Sequence, residues 1–462
     1  MILKHREIEI EESNPFKNDV LNRKESADTL TELIISASDP LVICIDAPWG
    51  QGKTTFLRMW EQHLKNSNIP TIYFNAWEND FTDDALVSLI GEIASAIDDI
   101  SKNGDQSKAH EYLEKAKNIG VDLLKRSIPV AAKIATAGAL DLDKLTEQAL
   151  ASFAESIAKE QLEKYEKSKK ALTTFRSALS DLANSFSSEE ERKPLVFIID
   201  ELDRCRPSFS IEVLEKAKHF FNVENIIFVL GADKEQLGHS IKAIYGNDLN
   251  VNGYLRRFID LDYVLPPPDK GLFIKVLFKK LAFNEYFSSK TGSETIYEGE
   301  QALEMFAELF ELYNLTLREQ EHCCSLLSLS IRTTPNNYKL HPLYLCFLIV
   351  LKINDSVTYK KFINEDLSPD QLLNHLSAQP SGRELLDTNY GVTLETYIIS
   401  SKRENDGVSA KYIDIINSDG STEQEKQRAR EILETLKYFG RGRRNVLGYL
   451  VNKIEISSRF RS

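Results

Sequence analysis

A glycine-rich turn near the amino terminus carries the residue types that bind phosphate. It follows the apolar run LVICID (41–46) and reads APWGQGKT over residues 47–54. Closely spaced glycines let the backbone aim several N–H groups at one anion, and a helix that starts there adds partial positive charge. Lys53 can reach the β- and γ-phosphates of a nucleotide, and the Thr54 hydroxyl can bind Mg²⁺. We therefore expect a nucleotide site formed by Trp49, Gly50, Gln51, Gly52, Lys53, Thr54 and Thr55.

The turn matches the phosphate-binding pattern G-x-x-x-x-G-K-[ST] at its last three positions. Ala47 stands where the pattern has its first glycine. We expect a tolerated variant, because Gly50 and Gly52 still supply the backbone freedom that such a turn requires.

Two acidic residues end a second apolar run, LVFIID (195–200). A strand that ends beside the phosphates can place Asp200 on the water shell of the metal, and Glu201 can then polarise the attacking water. Asp203 is the alternative candidate for this base. The expected roles are metal binding for Thr54 and Asp200, and catalysis for Lys53 and Glu201.

Five short apolar runs predict the strands that must position these groups, at 41–46, 70–76, 195–200, 226–231 and 259–265. Their apolar residues do not alternate with polar ones, which is typical of a parallel sheet covered by helices on both faces. Helical patterns occupy residues 28–38, 54–66, 83–100 and 208–221. These patterns predict an α/β fold.

Changes in composition and in hydrophobic pattern along the sequence suggest four regions. Residues 1–100 are the first half of the core, and residues 101–193, rich in Lys, Glu and Ala, are a helical insertion. Residues 194–269 are the second half, closed by three prolines that neither a helix nor a central strand can accommodate. Residues 270–462 are predicted to be a helical lid and a mainly helical carboxyl-terminal region.

Composition and charge exclude several classes of protein. The chain has 462 residues, a net charge of −13 at pH 7, and five cysteines with no C-x-x-C pair. This balance argues against a protein that is basic over its whole surface and coats nucleic acid. The cysteines suit a reducing compartment and give no zinc motif. The most membrane-like stretch, 127–140, is too short to span a bilayer, and the amino terminus has no signal peptide. We therefore expect a soluble, cytoplasmic protein without membrane contact.

Several motifs occur in the order found in the KAP family of P-loop NTPases, which this sequence resembles over about residues 20–330. They are PWGQGKTTFL at the phosphate-binding turn, YFNAWEND (73–80), VFIIDELDRCRP (196–207), FVLGADKEQL (228–237), YLRRFIDLDYVLP (254–266) and LTLREQEHCCSLL (315–327). Many members of that family carry transmembrane helices in the insertion, whereas the insertion here is too polar to span a membrane. The chain therefore resembles a soluble bacterial branch, and the part beyond about residue 350 matches no motif of the family.

The resemblance implies an oligomerising ATPase of the additional-strand, catalytic-glutamate type, with ATP and Mg²⁺ as its ligands. Arg318 would read the γ-phosphate from the helical lid. Arg256 or Arg257 would serve as an arginine finger for a neighbouring subunit. For all three arginines the alternative is a solvated surface position.

The resemblance also bears on residues around the turn. It favours structural roles for Trp49 and Trp77, with adenine stacking as the alternative. Asp233 is a candidate polar sensor at the end of a strand. Asn75 and Glu78 are candidates for groups near the metal.

The carboxyl-terminal segment is strongly basic within an acidic chain. From residue 437 onward it has one acid, Glu455, and seven basic residues: Lys437, Arg441, Arg443, Arg444, Lys453, Arg459 and Arg461. Such a segment can contact nucleic-acid phosphates, and the alternative is pairing with an acidic protein face. The expected partners are further copies of the chain, a protein encoded nearby and, through this segment, nucleic acid.

The predicted function is ATP hydrolysis that drives a conformational or assembly switch, with a role in bacterial antiphage defence suggested by resemblance alone. The alternative is an ATP-binding scaffold or regulatory subunit with little turnover, which holds a partner protein or nucleic acid. A kinase is disfavoured because the sequence contains no visible acceptor-binding motif.

Overall fold

The computed structural model forms two compact units, residues 8–266 and the residues from Pro267 onward. The described residues are 8–81, 85, 88–89, 91–93, 95, 118, 166, 169–170, 173–187, 192–289, 297–335, 339–401, 406–439 and 446–455. Most of the predicted insertion, including its apolar stretch at 127–140, lies outside them, as do the five arginines of the basic segment. The four-part division of the chain stays a prediction.

The first unit is built on a five-stranded sheet. Its strands are β1 (Leu41–Asp46), β2 (Thr71–Asn75), β3 (Leu195–Asp200), β4 (Ile226–Ala232) and β5 (Leu261–Val264). All neighbouring strands are parallel, and their order across the sheet is β2-β3-β4-β1-β5. The predicted parallel α/β sheet is therefore confirmed. β4 is the additional strand that separates β1, which leads into the glycine-rich turn, from β3, which ends in Asp200.

Helices connect the parallel strands. They are α1 (Lys24–Ser36), α2 (Lys53–Asn66), α3 (Pro207–Phe221), α4 (Lys234–Tyr245) and α5 (Val251–Leu255), with a short 3-10 turn at Leu202–Arg204. Residues 173–185 are also helical. Side-chain caps begin two of these helices: Asp233 accepts from two amides of α4, and Asn250 accepts from one amide of α5. Caps of this kind satisfy N–H groups that have no partner within the helix.

Alternate residues of β1, β2, β3 and β4 enter two separate apolar cores, whereas the residues of β5 are mostly exposed. In β1, Val42 and Cys44 face one core, whereas Ile43 and Ile45 face the other. The first core also contains residues of α3, α4 and the helical segment 173–185, and the second contains α1 and α2. Both faces of the sheet are thus covered by helices, as the uninterrupted apolar runs predicted.

The described part of the second unit consists of helices. They are α6 (Lys270–Lys280), α7 (Phe283–Ser288), α8 (Glu298–Leu312), α9 (Leu317–Arg332), α10 (Pro342–Asn354), α11 (Ser356–Ile363), α12 (Pro369–Ser377), α13 (Gly382–Asp387), α14 (Asn389–Ser400), α15 (Asp406–Asn417), α16 (Glu423–Phe439) and α17 (Val446–Ile454). Residues 342–351 of α10 are buried without interruption, so this helix is surrounded by the others. This confirms the helical carboxyl-terminal half. None of the helices described is long and apolar enough to cross a bilayer.

All five cysteines are free and buried. Burial raises the pKa of the Cys44 thiol to about 12, and it also raises the pKa of Cys205. Since the thiolate is the reactive form, these side chains pack as small apolar groups.

Candidate nucleotide site

The glycine-rich turn joins the carboxyl end of β1 to the amino end of α2. Gly50 and Gly52 have φ values of 75° and 82°, in the left-handed region, and Gly52 is the residue that caps α2. Ala47 is buried, and it is not among the described residues with positive φ. Its N–H donates to the Ala232 carbonyl at the end of β4 (3.4 Å). A side chain is therefore accommodated where the pattern has its first glycine.

Lys53 lies in the first turn of α2 with its side chain 8% exposed. Its ammonium group donates to the Ala47 carbonyl (3.1 Å) and lies 3.6 Å from the Asp203 carboxylate. The Trp49 indole N–H donates to the same carboxylate oxygen, Oδ2 of Asp203. The lysine is thus held under the turn, between a backbone carbonyl and a buried acid.

Asp200 ends β3 and is completely buried. Oδ2 accepts from the Tyr73 hydroxyl (2.6 Å), and Oδ1 accepts from the Glu201 N–H (2.7 Å). Burial raises the pKa of this carboxyl, although the hydrogen bonds from Tyr73 and from Thr54 oppose the shift. Burial also raises the pKa of Tyr73, so its hydroxyl stays a donor.

Gly231 of β4 leaves the space in which the Asp200 carboxylate lies. A Cβ at this position would come within 2.6 Å of Asp200 Oδ1 and 2.4 Å of Leu57 Cδ1. Both distances are shorter than real contacts of this kind, so only glycine fits without displacement.

Glu201 has a left-handed backbone with φ of 59°, which is uncommon for a residue with a side chain. Its Oε1 lies 2.8 Å from Arg204 NH1 and accepts from the Thr54 hydroxyl (3.5 Å). Its Oε2 accepts from the Asn75 amide (3.3 Å). The carboxylate is therefore directed to the amino end of α2 by groups from three elements.

Two more acids complete the surroundings of the turn. Asp203 has a side chain that is 1% exposed, and its Oδ1 has no hydrogen-bond partner among the residues described. Asp233 accepts from the Trp49 N–H through Oδ2 (3.2 Å), while Oδ1 accepts from Glu235 and Gln236 of α4. Asp233 thus holds the turn and caps a helix, a role that the sequence did not suggest.

Other residues expected near the site are more exposed. Trp49 is 44% exposed and Trp77 is 54% exposed, with Arg204 5.9 Å from the Trp77 ring centroid. Glu78 is exposed, and its N–H donates to Asn75 Oδ1 (3.2 Å). Thr55 is partly buried in the first turn of α2.

Arg23 contacts the turn from a position that the sequence did not indicate. This buried guanidinium donates to the Gln51 carbonyl (3.4 Å) and to the Pro266 carbonyl. Burial lowers its pKa, and nearby Asp19 opposes that shift. Arg23 precedes α1 and belongs to no motif, so only the tertiary structure reveals the contact.

Arg256 and Arg257 lie near the amino ends of the strands, at the opposite end of the sheet from the turn. Both are exposed, and they precede β5. Asp260 donates to the Val42 carbonyl (3.0 Å) and accepts from the Val42 N–H (2.9 Å), which fixes this segment at the amino ends of the strands. The turn lies at their carboxyl ends. The pair is thus remote from the phosphate site of its own chain.

Arg318 belongs to the second unit. It is exposed in the first turn of α9, which begins with a capping box between Thr316 and Glu319. Its predicted role as a sensor stays a prediction.

The profile of the KAP family P-loop domain matches residues 23–416. The chain belongs to the KAP family. The matched region includes the glycine-rich turn, which is therefore the P-loop of a KAP domain, the end of β3 and most of the second unit. A comparison with curated proteins gives no match.

Solved structures similar to this KAP chain include chains of ORC and DnaA. The ORC2 protein of Aeropyrum pernix, in ADPNP–ADP complexes, is 12% identical over 95% of both chains, with a TM-score of 0.33. A chain of Drosophila ORC bound to DNA and Cdc6 is 10% identical over 95% of this chain and 61% of its own length (TM-score 0.34). DnaA of Aquifex aeolicus is 12% identical over 96% of this chain and 95% of its own (TM-score 0.24).

Proposed function

We propose that this KAP chain is an Mg²⁺-dependent ATPase in which ATP binding and hydrolysis drive a conformational or assembly switch. One observation carries the proposal. Thr54, at the start of α2, lies within hydrogen-bond reach of Glu201 at the end of β3, although β4 separates the two parent strands. The phosphate-binding and acidic elements of the sequence therefore belong to one site.

The P-loop would hold the phosphates through its own groups. The left-handed glycines Gly50 and Gly52 turn backbone N–H groups inward, and the amino end of α2 adds partial positive charge. Lys53 supplies a full charge at the β- and γ-phosphates. Trp49, Gln51 and Thr55 complete the loop, and Asp233 fixes its backbone at Trp49.

Glu201 is the proposed base that orients the attacking water. Its carboxylate is buried and is held by Arg204, Asn75 and Thr54, so its direction is fixed before substrate arrives. Fixing a reactive group in this way lowers the entropy cost of reaching the transition state.

The residues fit a magnesium ion. In the parts of the chain that the structure describes, no three acidic, histidine or cysteine side chains cluster into a metal cage. Mg²⁺ suits such a site, since it keeps several waters and takes one or two protein oxygens together with phosphate oxygens. Thr54 and Asp200 are the proposed holders, and Asp200 is itself oriented by Tyr73. When bound, the ion would neutralise charge on the phosphates.

Assembly is part of the proposal. Arg256 and Arg257 lie near the amino ends of the strands, remote from their own P-loop at the carboxyl ends, so any catalytic contribution would go to a neighbouring copy of the chain. Arg318 would sense the γ-phosphate from the helical lid. These assignments rest on the family resemblance and on exposure.

The biological setting is proposed on resemblance alone. We propose a cytoplasmic protein that acts with a partner encoded nearby in bacterial antiphage defence. Nucleic acid is a further proposed partner through the basic segment that begins at Lys437.

Phosphate release from ATP, measured together with binding of a fluorescent ATP analogue, tests this function. Wild type should bind and hydrolyse ATP, Lys53→Ala should lose both, and Glu201→Gln should bind ATP but release no phosphate. Light scattering of the same samples should show a mass increase with ATP. A folded wild type that binds no ATP would refute the proposal.

One observation favours the alternative of an ATP-binding scaffold with little turnover. The Glu201 carboxylate is already engaged by Arg204 at 2.8 Å, by Asn75 and by Thr54, so protein donors occupy the oxygens that an attacking water would need. Under this alternative, wild type would bind ATP and assemble, while its phosphate release would equal that of Glu201→Gln.

A further inference from the structure

Asp203 joins two functional parts of the P-loop. It lies on the 3-10 turn that follows β3, and its side chain is 1% exposed. One oxygen, Oδ2, accepts from the Trp49 indole N–H and lies 3.6 Å from the Lys53 ammonium. The other oxygen, Oδ1, has no hydrogen-bond partner among the residues described. A buried acid with an unsatisfied oxygen thus directly contacts the lysine that the phosphates require.

This contact opposes nucleotide binding electrostatically. The Lys53 charge is shared with the Asp203 carboxylate, so phosphate must compete with that carboxylate for the same ammonium group. A buried negative charge also repels an incoming polyphosphate, and the interior screens this repulsion less than water does. Oδ1 accepts no hydrogen bond from the described residues, so no donor at this oxygen offsets the negative charge of the carboxylate.

Trp49 extends the same contact to the protein surface. Trp49 is 44% exposed, its backbone N–H donates to Asp233, and its indole N–H donates to Asp203. A change in the charge around Asp203 therefore changes the only side-chain hydrogen bond that the structure gives this indole in the described residues.

We propose that Asp203 is a positioning residue that lowers the affinity of the P-loop for nucleotide by competing for Lys53, and that couples the occupancy of Lys53 to the orientation of the exposed Trp49 indole. The proposal rests on ATP binding at the P-loop. It gives Asp203 a role in regulating the site, distinct from that of a base.

The test uses Asp203→Asn in the full-length protein. The amide keeps an acceptor for the Trp49 indole but removes the charge that competes for Lys53. The affinities of wild type and variant for a fluorescent ATP analogue are measured with Mg²⁺ and with EDTA. We expect about tenfold tighter binding in the variant under both conditions, which corresponds to a gain of roughly 1.4 kcal/mol. Asp203→Ser, which lacks the charge as well, should also bind more tightly.

Tryptophan emission gives the second readout. In a Trp77→Phe background the remaining indoles are Trp49 and the buried Trp60. ATP should shift the emission in this background, and the shift should be lost when Trp49→Phe or Asp203→Asn is added. A residue that merely supports the fold would weaken binding on substitution, so tighter binding separates the two roles.

Three outcomes would overturn the proposal. Unchanged or weaker binding by both Asp203 variants, with wild type binding ATP, would refute the competition while leaving the proposed function intact. If the variants bind the ATP analogue more weakly than wild type in Mg²⁺ but not in EDTA, Asp203 belongs to the metal site. Absence of ATP binding in folded wild type would refute the proposed function and, with it, this inference.

Discussion

Arg204 NH1 lies 2.8 Å from Glu201 Oε1, and the two residues are three positions apart on the turn that follows β3. The left-handed backbone of Glu201 begins this turn. The guanidinium is one-quarter exposed, whereas the carboxylate is 9% exposed, so the ion pair is only partly screened by water. Glu201 is thus held by a cation from its own turn as well as by Asn75 and Thr54.

Substitution Arg204→Ala should slow phosphate release about tenfold, because Glu201 loses one of the groups that fix its direction. The affinity for ATP should stay within about twofold of wild type, since Arg204 has no contact with Lys53 or the glycines among those described. Steady-state phosphate release and equilibrium binding measure the two effects. Lys216→Ala, a surface lysine on α3 paired with Glu212, is the matched control. Faster release from Arg204→Ala would instead mean that the arginine restrains the base.

Asp200→Asn should stabilise the first unit while abolishing hydrolysis. The pKa of Asp200 is raised, so ionisation is less favourable in the folded state, and the carboxylate costs stability at pH values above its unfolded pKa. The amide removes this cost and can still bond with Tyr73. In EDTA at pH 7 we expect a melting temperature about 2–4 °C higher. Tryptophan fluorescence follows this unit, since Trp49, Trp60 and Trp77 all lie in it. A lower melting temperature would contradict the argument.

Gly231→Ala should destabilise the first unit by about 1–3 kcal/mol, the usual cost of overpacking. The added methyl would approach Asp200 Oδ1 and Leu57 Cδ1, so hydrolysis should fall as well. Urea unfolding followed by tryptophan emission gives the free energy of unfolding. Gly91→Ala is the control, because its added Cβ has no atom within 4 Å and its residue is helical. Equal free energies of unfolding for the two variants would show that β4 moves to accommodate the methyl group without loss of stability.

Mixing two inactive variants tests whether Arg256 and Arg257 act on a neighbour. A chain with both arginines replaced by alanine should bind ATP normally, because the pair lies far from its own P-loop. A Lys53→Ala chain binds no ATP but still carries the arginines. If fingers act between copies, the mixture should recover hydrolysis that neither chain has alone. The double alanine variant should also show wild-type thermal stability, since both side chains are exposed.

If the mixture stays inactive while each variant still assembles, the finger lies elsewhere. Full activity of the double alanine variant by itself would show that neither Arg256 nor Arg257 has a role in catalysis.

The strands and the P-loop could be predicted from sequence because the signals are local. The bounds predicted for β1 and β3 match the structure, and those of β2, β4 and β5 differ by one or two residues. An apolar run that fills both cores has no alternation, and a glycine-rich turn before a helix is a short motif. Both can be read without knowing which strands are neighbours.

The contacts around Asp203 and Arg23 could not be predicted in this way. Trp49 and Asp203 are 154 positions apart, and they meet because β1 and β3 are parallel strands of one sheet, whose carboxyl ends lie on the same side. Arg23 and Pro266 are 243 positions apart, and Arg23 belongs to no motif. The placement of Arg256 and Arg257 near the amino ends of the strands also depends on the register of β5 against β1. Pairings of this kind follow from strand order, which local patterns do not encode.

The burial of every native thiol has a practical consequence for spectroscopy. A maleimide dye added to the folded chain has no accessible target among its five cysteines. Cysteines introduced at the exposed positions Asn252, in the first unit, and Val357, in the second, would thus be the sites that accept a donor and an acceptor fluorophore. Energy transfer between them would measure, in real time and in the wild-type cysteine background, whether ATP changes the separation of the two units.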